Sequence, residues 1–324
     1  MVGLMQASGI TTCAVLGSGT MGTQIALSLA LGGKAVRLWG RRAEGLHEAE
    51  TRIAAAFDFL AQNGLAKPDD RAATLARIAM ETDLGKAASG AGFIIDAVAE
   101  DITIKQDLLS QAEHHVDETA ILSSTTSALS PTDIQSALQR PGKFCVAHYA
   151  QPAHLVALVE VVPGGETLES ATEQVTALLH ETGKTPVLCP DIPGFLWARI
   201  QHAVLRELAS LVGQGLVTPQ ACDTILKQGY AVRLPAMGAF EHADLAGLDL
   251  LNSSAAKAVW ADLSNVSDPA QTPVGALYAQ GKLGMKSGKG FYDWQQRDPD
   301  AFKSERDQEI VRRVKIQRGA KVTL

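Results

Sequence analysis

The sequence predicts an α/β amino-terminal domain, built on a mostly parallel sheet wound with crossover helices, followed by an all-α carboxy-terminal domain. Three observations predict it. The first 190 residues alternate short β-like runs with helical patterns, as a parallel sheet requires. A glycine-rich turn, Gly17-Ser18-Gly19-Thr20-Met21-Gly22, follows the first run directly and opens a helix. From Asp191 onward the strand-like runs stop and the apolar spacing becomes helical. The expected division is therefore 1–190 and 191–324.

Taken in order, TTCAVLG (11–17) reads as a strand. Residues 22–33 place Ile25, Leu27, Leu29 and Leu31 on a helix ending at paired glycines. KAVRLWG (34–40) is a second strand. Residues 43–63 and 68–80 read as two helices joined near Asn63-Gly64 and Pro68, a projecting arm at about 43–80. Further strands follow at 92–100, 119–127, 143–149 and 155–163, with helices at 103–116 and 131–138 between some of them. In the second half, Ile200, Val204, Leu208 and Leu211 share one helix face. Thr218-Pro219 supplies an N-cap and a proline at the first helical position. More helices are expected at about 238–246, 250–262 and 272–281. The charged last thirty residues are expected to form a surface helix or to fray.

Composition excludes several classes of function. The chain has 324 residues, 46% of them hydrophobic, and a net charge of −6, which argues against a nucleic-acid surface. Cys13, Cys145, Cys189 and Cys222 are scattered, with no CxxC and no metal-ligand spacing. Free thiols in a reducing compartment are expected. Residues 1–9 lack the basic start and apolar core of a signal peptide. No apolar run approaches the roughly 18 residues needed to cross a bilayer. A soluble, cytoplasmic protein with a small-molecule substrate, and no nucleic-acid, membrane or metal partner, is the expectation.

The glycine turn points to a dinucleotide. Gly17 makes the tight turn, Gly19 lets the backbone approach a pyrophosphate, and Gly22 lets helix and strand pack closely. Around Thr20 and Met21 the helix start offers N–H donors and the positive dipole end. The strand–turn–helix context makes residues 1–190 a Rossmann-type domain. At the end of the second strand, where an acid usually meets the ribose hydroxyls, the chain reads Gly40-Arg41-Arg42. Loss of the carboxylate removes repulsion against a 2′-phosphate, and two guanidinium groups attract one. NADP(H) is the expected cofactor, with NAD and two solvated arginines as the alternative.

His148 and Glu160 lie on two short apolar runs. Oxidation of an alcohol by hydride transfer needs a base that titrates near neutrality, which favours histidine, and a carboxylate fixes its tautomer. A Glu inside Val-Glu-Val is costly unless it is paired. The other reading makes His148 a satisfied core histidine and Glu160 an edge-strand charge.

Five motifs in order resemble the L-3-hydroxyacyl-CoA dehydrogenase family. They are SSTTS (123–127), AHYAQP (147–152), LVEVVPGGET (158–167), Pro193-Gly194-Phe195 and GKLGMKSGKGFYDW (281–294), within a resemblance that spans about 12–294. It implies that His148 is the general base, that Glu160 orients it, and that Ser127 hydrogen-bonds the reacting oxygen. It places Glu100 and Lys105 on the cofactor side. It implies a homodimer through the helical domain, with Phe195, Trp197 and Leu211 as a candidate face. The implied reaction is hydride transfer between the nicotinamide and the β-hydroxyl of a 3-hydroxyacyl-CoA or a free 3-hydroxy acid.

Two positions depart from the pattern. Gln151 stands where the fatty acyl-CoA enzymes carry Asn, and Ala198 stands where they carry another, which puts substrate positioning in doubt. The arm, lysine-rich in those enzymes, here has Arg52 and Lys67 against Glu44, Glu48, Glu50 and Asp58, an unfavourable surface for a polyphosphate. That is similar to relatives of the carnitine or gulonate dehydrogenase type, which use no CoA. A non-catalytic, crystallin-like dinucleotide binder is the alternative from another class. A decarboxylating hydroxyacid dehydrogenase would want a lysine at 195–213, where there is none. Arg233, in GYAVRLPAMG, is a candidate for a substrate carboxylate. His154 is expected on an exposed loop, His114-His115 on a solvated face, and Lys282, Lys286 and Lys289 on a surface turn.

Overall fold

A computed structural model describes residues 7–317 and Gly319. The expectations for residues 1–6 and for the extreme carboxy-terminus lie outside the described residues. Contacts divide the chain into two compact units: residues up to Arg199 together with those from Asp307, and Ile200–Arg306.

In the first unit β1 (Thr12–Leu16) leads through α1 (Thr20–Leu31) to β2 (Ala35–Trp39). The arm follows as α2 (Ala43–Gln62) and α3 (Arg71–Ala76), then β3 (Ile78–Glu81) and α4 (Leu84–Ala88). Next come β4 (Phe93–Asp96), α5 (Ile102–Glu113), β5 (Ile121–Ser124) and α6 (Pro131–Gln135). The unit continues with β6 (Phe144–Tyr149), β7 (Leu158–Pro163), α7 (Glu169–Glu181) and β8 (Thr185–Leu188). These strands form one eight-stranded sheet in the order β3-β2-β1-β4-β5-β6-β7-β8, parallel except where β6 meets β7. The order reverses beside β1, and a sheet of this kind binds its ligand at the carboxyl ends of the strands at that point. Gly17 and Ala97 leave β1 and β4 there, and Ala97 N–H donates to the Leu16 carbonyl at 2.8 Å.

The arm ends differently from its sequence pattern. A helix over 68–80 is expected, but only Arg71–Ala76 is α-helical, and Ile78–Glu81 pairs in parallel with Val36–Trp39. The unpaired edge of β2 offers a ladder that outweighs the local helical spacing. Strand β8 carries Pro186, which is tolerated because β8 is the edge of the sheet.

Strands β6 and β7 decide where the chemistry-bearing residues point. Cys145, Ala147 and Tyr149 face one core together with Val159 and Val161. Phe144, Val146 and Val162 face a second core with Cys189 and Phe195. His148 and Glu160 share the period of that second face and are direct cross-strand partners. A slip of one residue would turn either side chain through the sheet.

The second unit is helical: α8 (Trp197–Gly213) runs into it, followed by α9 (Pro219–Ile225), a π-helical stretch at Leu226–Tyr230 and α10 (Ala231–Arg233). The unit continues with α11 (Ala239–Ala246), α12 (Leu248–Leu251), α13 (Ser254–Asp262) and α14 (Pro273–Ala279). Thr218 caps α9 through the Ala221 N–H, as its sequence predicts. The last helix, α15 (Pro299–Gln317), starts in this unit, and its later residues Ile310 and Val311 pack on the core of the first. No helix among the described residues is long and apolar enough to cross a membrane.

Gly22 sets the closeness of α1 to the turn. A Cβ on Gly22 would land on the Gly17 carbonyl oxygen, which is backbone and cannot swing away. Gly22→Ala is therefore expected to cost at least about 2 kcal/mol of stability and to weaken cofactor binding, as read by thermal unfolding and cofactor fluorescence.

Candidate active site

The glycine turn has the shape of a phosphate cradle. Gly17 has φ 125°, and a Cβ there would sit 2.7 Å from the Ala97 carbonyl oxygen. Gly19 is exposed, with open space where a side chain would project. It is the N-cap of α1, no side chain caps that helix, and no acid lies in its first turn. The first N–H groups of α1 therefore face outward with the positive end of the helix dipole, and the turn fits a pyrophosphate. Arg52, on the arm, donates to the Ser18 carbonyl at 2.7 Å and ties α2 to the turn, a contact the sequence did not reveal.

At the end of β2, Gly40 donates to the Glu81 carbonyl at 3.0 Å. A Cβ there would meet the Leu46 side chain and the Ser18 hydroxyl at 3.0 Å, a tight fit that either side chain would have to yield to. Arg41 and Arg42 are both exposed.

The second cluster is buried. His148 is 7% and Glu160 2% exposed. Nδ1 of His148 lies 2.8 Å from Oε2 of Glu160. Oε1 of the same carboxylate accepts the N–H of Leu196 at 2.9 Å, the N–H of Trp197 at 2.8 Å and the Cys189 thiol at 3.5 Å. Burial alone would raise the Glu160 pKa. The bond to His148 and the Trp197 and Leu196 amides outweigh it and hold the carboxyl below its ordinary value. With an ionised acceptor, Nδ1 must carry the hydrogen, which leaves the lone pair on Nε2. Burial and the neighbouring Glu160 push the Cys189 thiol up to about 12, so it stays a donor.

Phe195, Leu196, Trp197 and Cys189 were not singled out by sequence reasoning for this role. The signal for Phe195, Leu196 and Trp197 was the Pro193-Gly194-Phe195 motif; Cys189 had none. Phe195 is fully buried, its ring centroid 5.9 Å from that of His148, and its φ is 48°. The expected dimer face therefore loses Phe195, whose apolar ring is spent inside the first unit.

Ser127 is placed by Glu100. Oε1 of Glu100 accepts the Ser127 N–H at 3.0 Å and the Thr126 hydroxyl at 2.5 Å. Lys105 is 1% exposed, 2.7 Å from Asp96 and 3.5 Å from Glu100. An ammonium on this face of α5 is drawn into the sheet because the buried Asp96 needs a counter-charge. Burial still pushes the Asp96 carboxyl up, with Lys105 offsetting part of it. Gln151 is exposed and precedes a cis bond to Pro152. Arg233 lies in the second unit, where its Nη1 is 3.3 Å from His242 Nε2. His154 is half-buried rather than exposed. It borders a cavity of about 620 Å³ that none of the glycine-turn residues lines. Burial and then Lys184 push its imidazole down to about 4. The four cysteines are buried and free, and no metal-ligating cluster is present among the described residues.

Two family models match in succession: the NAD binding domain of 3-hydroxyacyl-CoA dehydrogenase over residues 12–192, and the carboxy-terminal domain over 194–294. The chain belongs to the 3-hydroxyacyl-CoA dehydrogenase family. It is a dehydrogenase that uses a nicotinamide cofactor and acts on a CH–OH group. The dehydrogenase is 30% identical, over 96% of its length and 99% of the relative's, to 5-formyl-3-hydroxy-2-methylpyridine 4-carboxylate 5-dehydrogenase of Mesorhizobium japonicum. It is 32% identical to 3-hydroxyadipyl-CoA dehydrogenase of Escherichia coli, over 88% of this chain but 59% of that one. It spans 40% of the fatty acid oxidation complex subunit alpha of Pseudomonas paraeruginosa. Among solved structures, a 5-formyl-3-hydroxy-2-methylpyridine 4-carboxylic acid 5-dehydrogenase, an NAD+-dependent dismutase, superposes with a TM-score of 0.89 over 96% of this chain and 100% of that one. (S)-3-hydroxybutyryl-CoA dehydrogenase from Ralstonia eutropha reaches 0.72 at 27% identity, covering 88% of this chain and 99% of the other.

The depressed Glu160 carboxyl has a consequence in acid. Its folded pKa lies below the unfolded value of about 4.3, so its contribution to stability is fully present above that value and is lost as pH falls through the folded one. In acid unfolding followed by circular dichroism, the dehydrogenase is expected to lose stability more steeply below about pH 4 than Glu160→Gln, which has nothing to titrate there.

Proposed function

We propose that this dehydrogenase oxidises a secondary alcohol on a small free acid, with His148 as general base and Glu160 as its partner. The single observation that carries the reading is the buried 2.8 Å contact between His148 Nδ1 and Glu160 Oε2. Nε2 takes the proton of the substrate hydroxyl while the hydrogen on the same carbon leaves with its electron pair. When bound, the nicotinamide supplies the acceptor for that hydride. The imidazolium that forms is balanced by the carboxylate at its other nitrogen. Ser127, fixed by Glu100, donates to the reacting oxygen. Residues 1–190 hold the dinucleotide, with Gly17, Gly19, Thr20, Met21 and Gly22 around its pyrophosphate. Residues 191–324 supply substrate and dimer contacts.

The substrate reading rests on three supports. The arm is acidic where a polyphosphate would be repelled. The likeness is greater to a dehydrogenase of a free pyridine carboxylate than to the CoA-ester enzyme from Ralstonia eutropha. Arg233, with His242 as its neighbour, offers a guanidinium to a carboxylate. The hydrate of an aldehyde also presents a CH–OH group, so the same base serves a formyl substrate. A 3-hydroxyacyl-CoA is the second reading, favoured by the family's name and by its CoA-ester relatives. A homodimer is supported by the apolar side chains the second unit leaves outside, with Phe240 89% and Trp260 75% exposed.

A cofactor-coupled screen of free hydroxy acids and aldehydes against CoA thioesters tests the substrate class. On the substrate found, His148→Ala is expected to bind cofactor and lose about a thousandfold or more in kcat. Glu160→Gln offers Nδ1 an amide N–H, which inverts the tautomer, and a comparable loss is expected. Tight cofactor binding with no turnover across the whole panel would instead support a non-catalytic binder.

The cofactor reading divides. The NAD+-dependent relative and the NAD-binding family model favour NAD, whereas the Gly40-Arg41-Arg42 turn favours NADP. The kcat/KM ratio for the two cofactors decides. If the arginines bind a 2′-phosphate, Arg41→Ala with Arg42→Ala lowers the NADP value at least tenfold and spares NAD. An NAD preference unchanged by both substitutions removes the NADP reading.

A further inference from the structure

The contacts on Glu160 Oε1 have no part in pairing with His148, yet they account for most of the hydrogen bonding of that carboxylate. All of them come from a short stretch of chain after β8. Cys189 leaves the strand, its N–H bonded to the Val161 carbonyl at 2.9 Å, and brings its thiol to Oε1. Five and six residues later the chain turns at Gly194, φ 76°, and Phe195, φ 48°. Phe195 is the one non-glycine residue at positive φ among those described, a conformation that is unfavourable for a bulky side chain. Full burial of its ring offsets this. The left-handed turn brings two successive N–H groups, those of Leu196 and Trp197, onto one oxygen at the start of α8.

We propose that the Pro193–Trp197 turn is a positioning device for the base: held left-handed at Phe195, it clamps Glu160 Oε1 with two amides and thereby sets how strongly Oε2 holds the Nδ1 proton of His148. The proposal rests on the reading of His148 and Glu160 as the base pair. Donors on Oε1 draw charge away from Oε2, so the clamp moderates the pull on the imidazole. If the amides are lost, the carboxylate bears on Nδ1 alone and the imidazolium becomes harder to deprotonate. The titratable groups facing this carboxylate are His148 on β6 and Cys189 after β8. Phe195, whose ring lies against the imidazole, carries no charge. Phe195 is therefore a positioning residue, and its backbone acts through Glu160.

The test reads His148 directly and needs no substrate. Protein labelled with 13C-histidine is titrated by NMR, the Cε1 resonance of His148 being assigned by its absence in His148→Gln. A β-branched residue resists positive φ and glycine accepts it. Phe195→Val is expected to move the His148 midpoint up by about one pH unit, and Phe195→Gly to leave it within about a quarter of a unit, although both lose the ring. Cys189→Ala, which keeps the turn, is expected to raise it by a smaller amount. Equal midpoints in Phe195→Val and Phe195→Gly, with each folded by circular dichroism, overturn the proposal. Should Phe195→Val not fold, an unmoved midpoint in Cys189→Ala overturns it instead. Separately, on the substrate that the cofactor-coupled screen finds, the turnover of His148→Gln is measured. Full activity there withdraws the base reading itself, whereas lost activity with unmoved midpoints rejects only the turn.

Discussion

A carboxylate almost without solvent must find its hydrogen-bond donors within the protein, and much of the first unit is arranged around that demand at Glu160. Desolvation would protonate this side chain or expel it. An imidazole on β6, two amides at the start of α8 and a thiol after β8 keep it ionised where it is. The donors come from two parts of the chain, β6 and the stretch that follows β8. The requirement therefore fixes the β6–β7 register, the path out of β8 and the left-handed turn at Phe195 together.

The antiparallel pair at the far end of an otherwise parallel sheet has a structural reason within this frame. Parallel neighbours would offset His148 and Glu160 along slanted ladder bonds, while the antiparallel pairing sets them directly opposite on one face. The connection at 150–157 is tied down elsewhere, with Ala153 N–H donating to Gln24 of α1 at 2.8 Å. The glycine turn and the β6–β7 pair are thus joined through α1, whose first turn faces the cradle.

Around Ser127 the sheet solves a second buried-charge problem. Asp96 closes β4 beneath the surface and draws Lys105 inward, and Lys105 in turn reaches Glu100, whose other oxygen fixes Ser127 and Thr126. The ammonium that the family resemblance puts on the cofactor side is buried between Asp96 and Glu100. Sequence spacing placed Lys105 on the right helix. It did not show that the neighbouring acid on β4 was buried and in need of that charge.

Local sequence determined a good part of this dehydrogenase. The glycine turn, the alternation of strand and helix before residue 190, the Thr218 cap and the Val-Glu-Val run are all legible because each depends on residues within a few positions of one another. The edge strands β3 and β8 were not, since their pairing energy lies in a neighbouring strand distant in sequence. Tertiary structure alone decided that Glu160 meets the amides of Leu196 and Trp197, that Phe195 is buried rather than free for a partner, and that His154 is sheltered. Those outcomes depend on desolvation, and desolvation is a property of everything that surrounds a group in space.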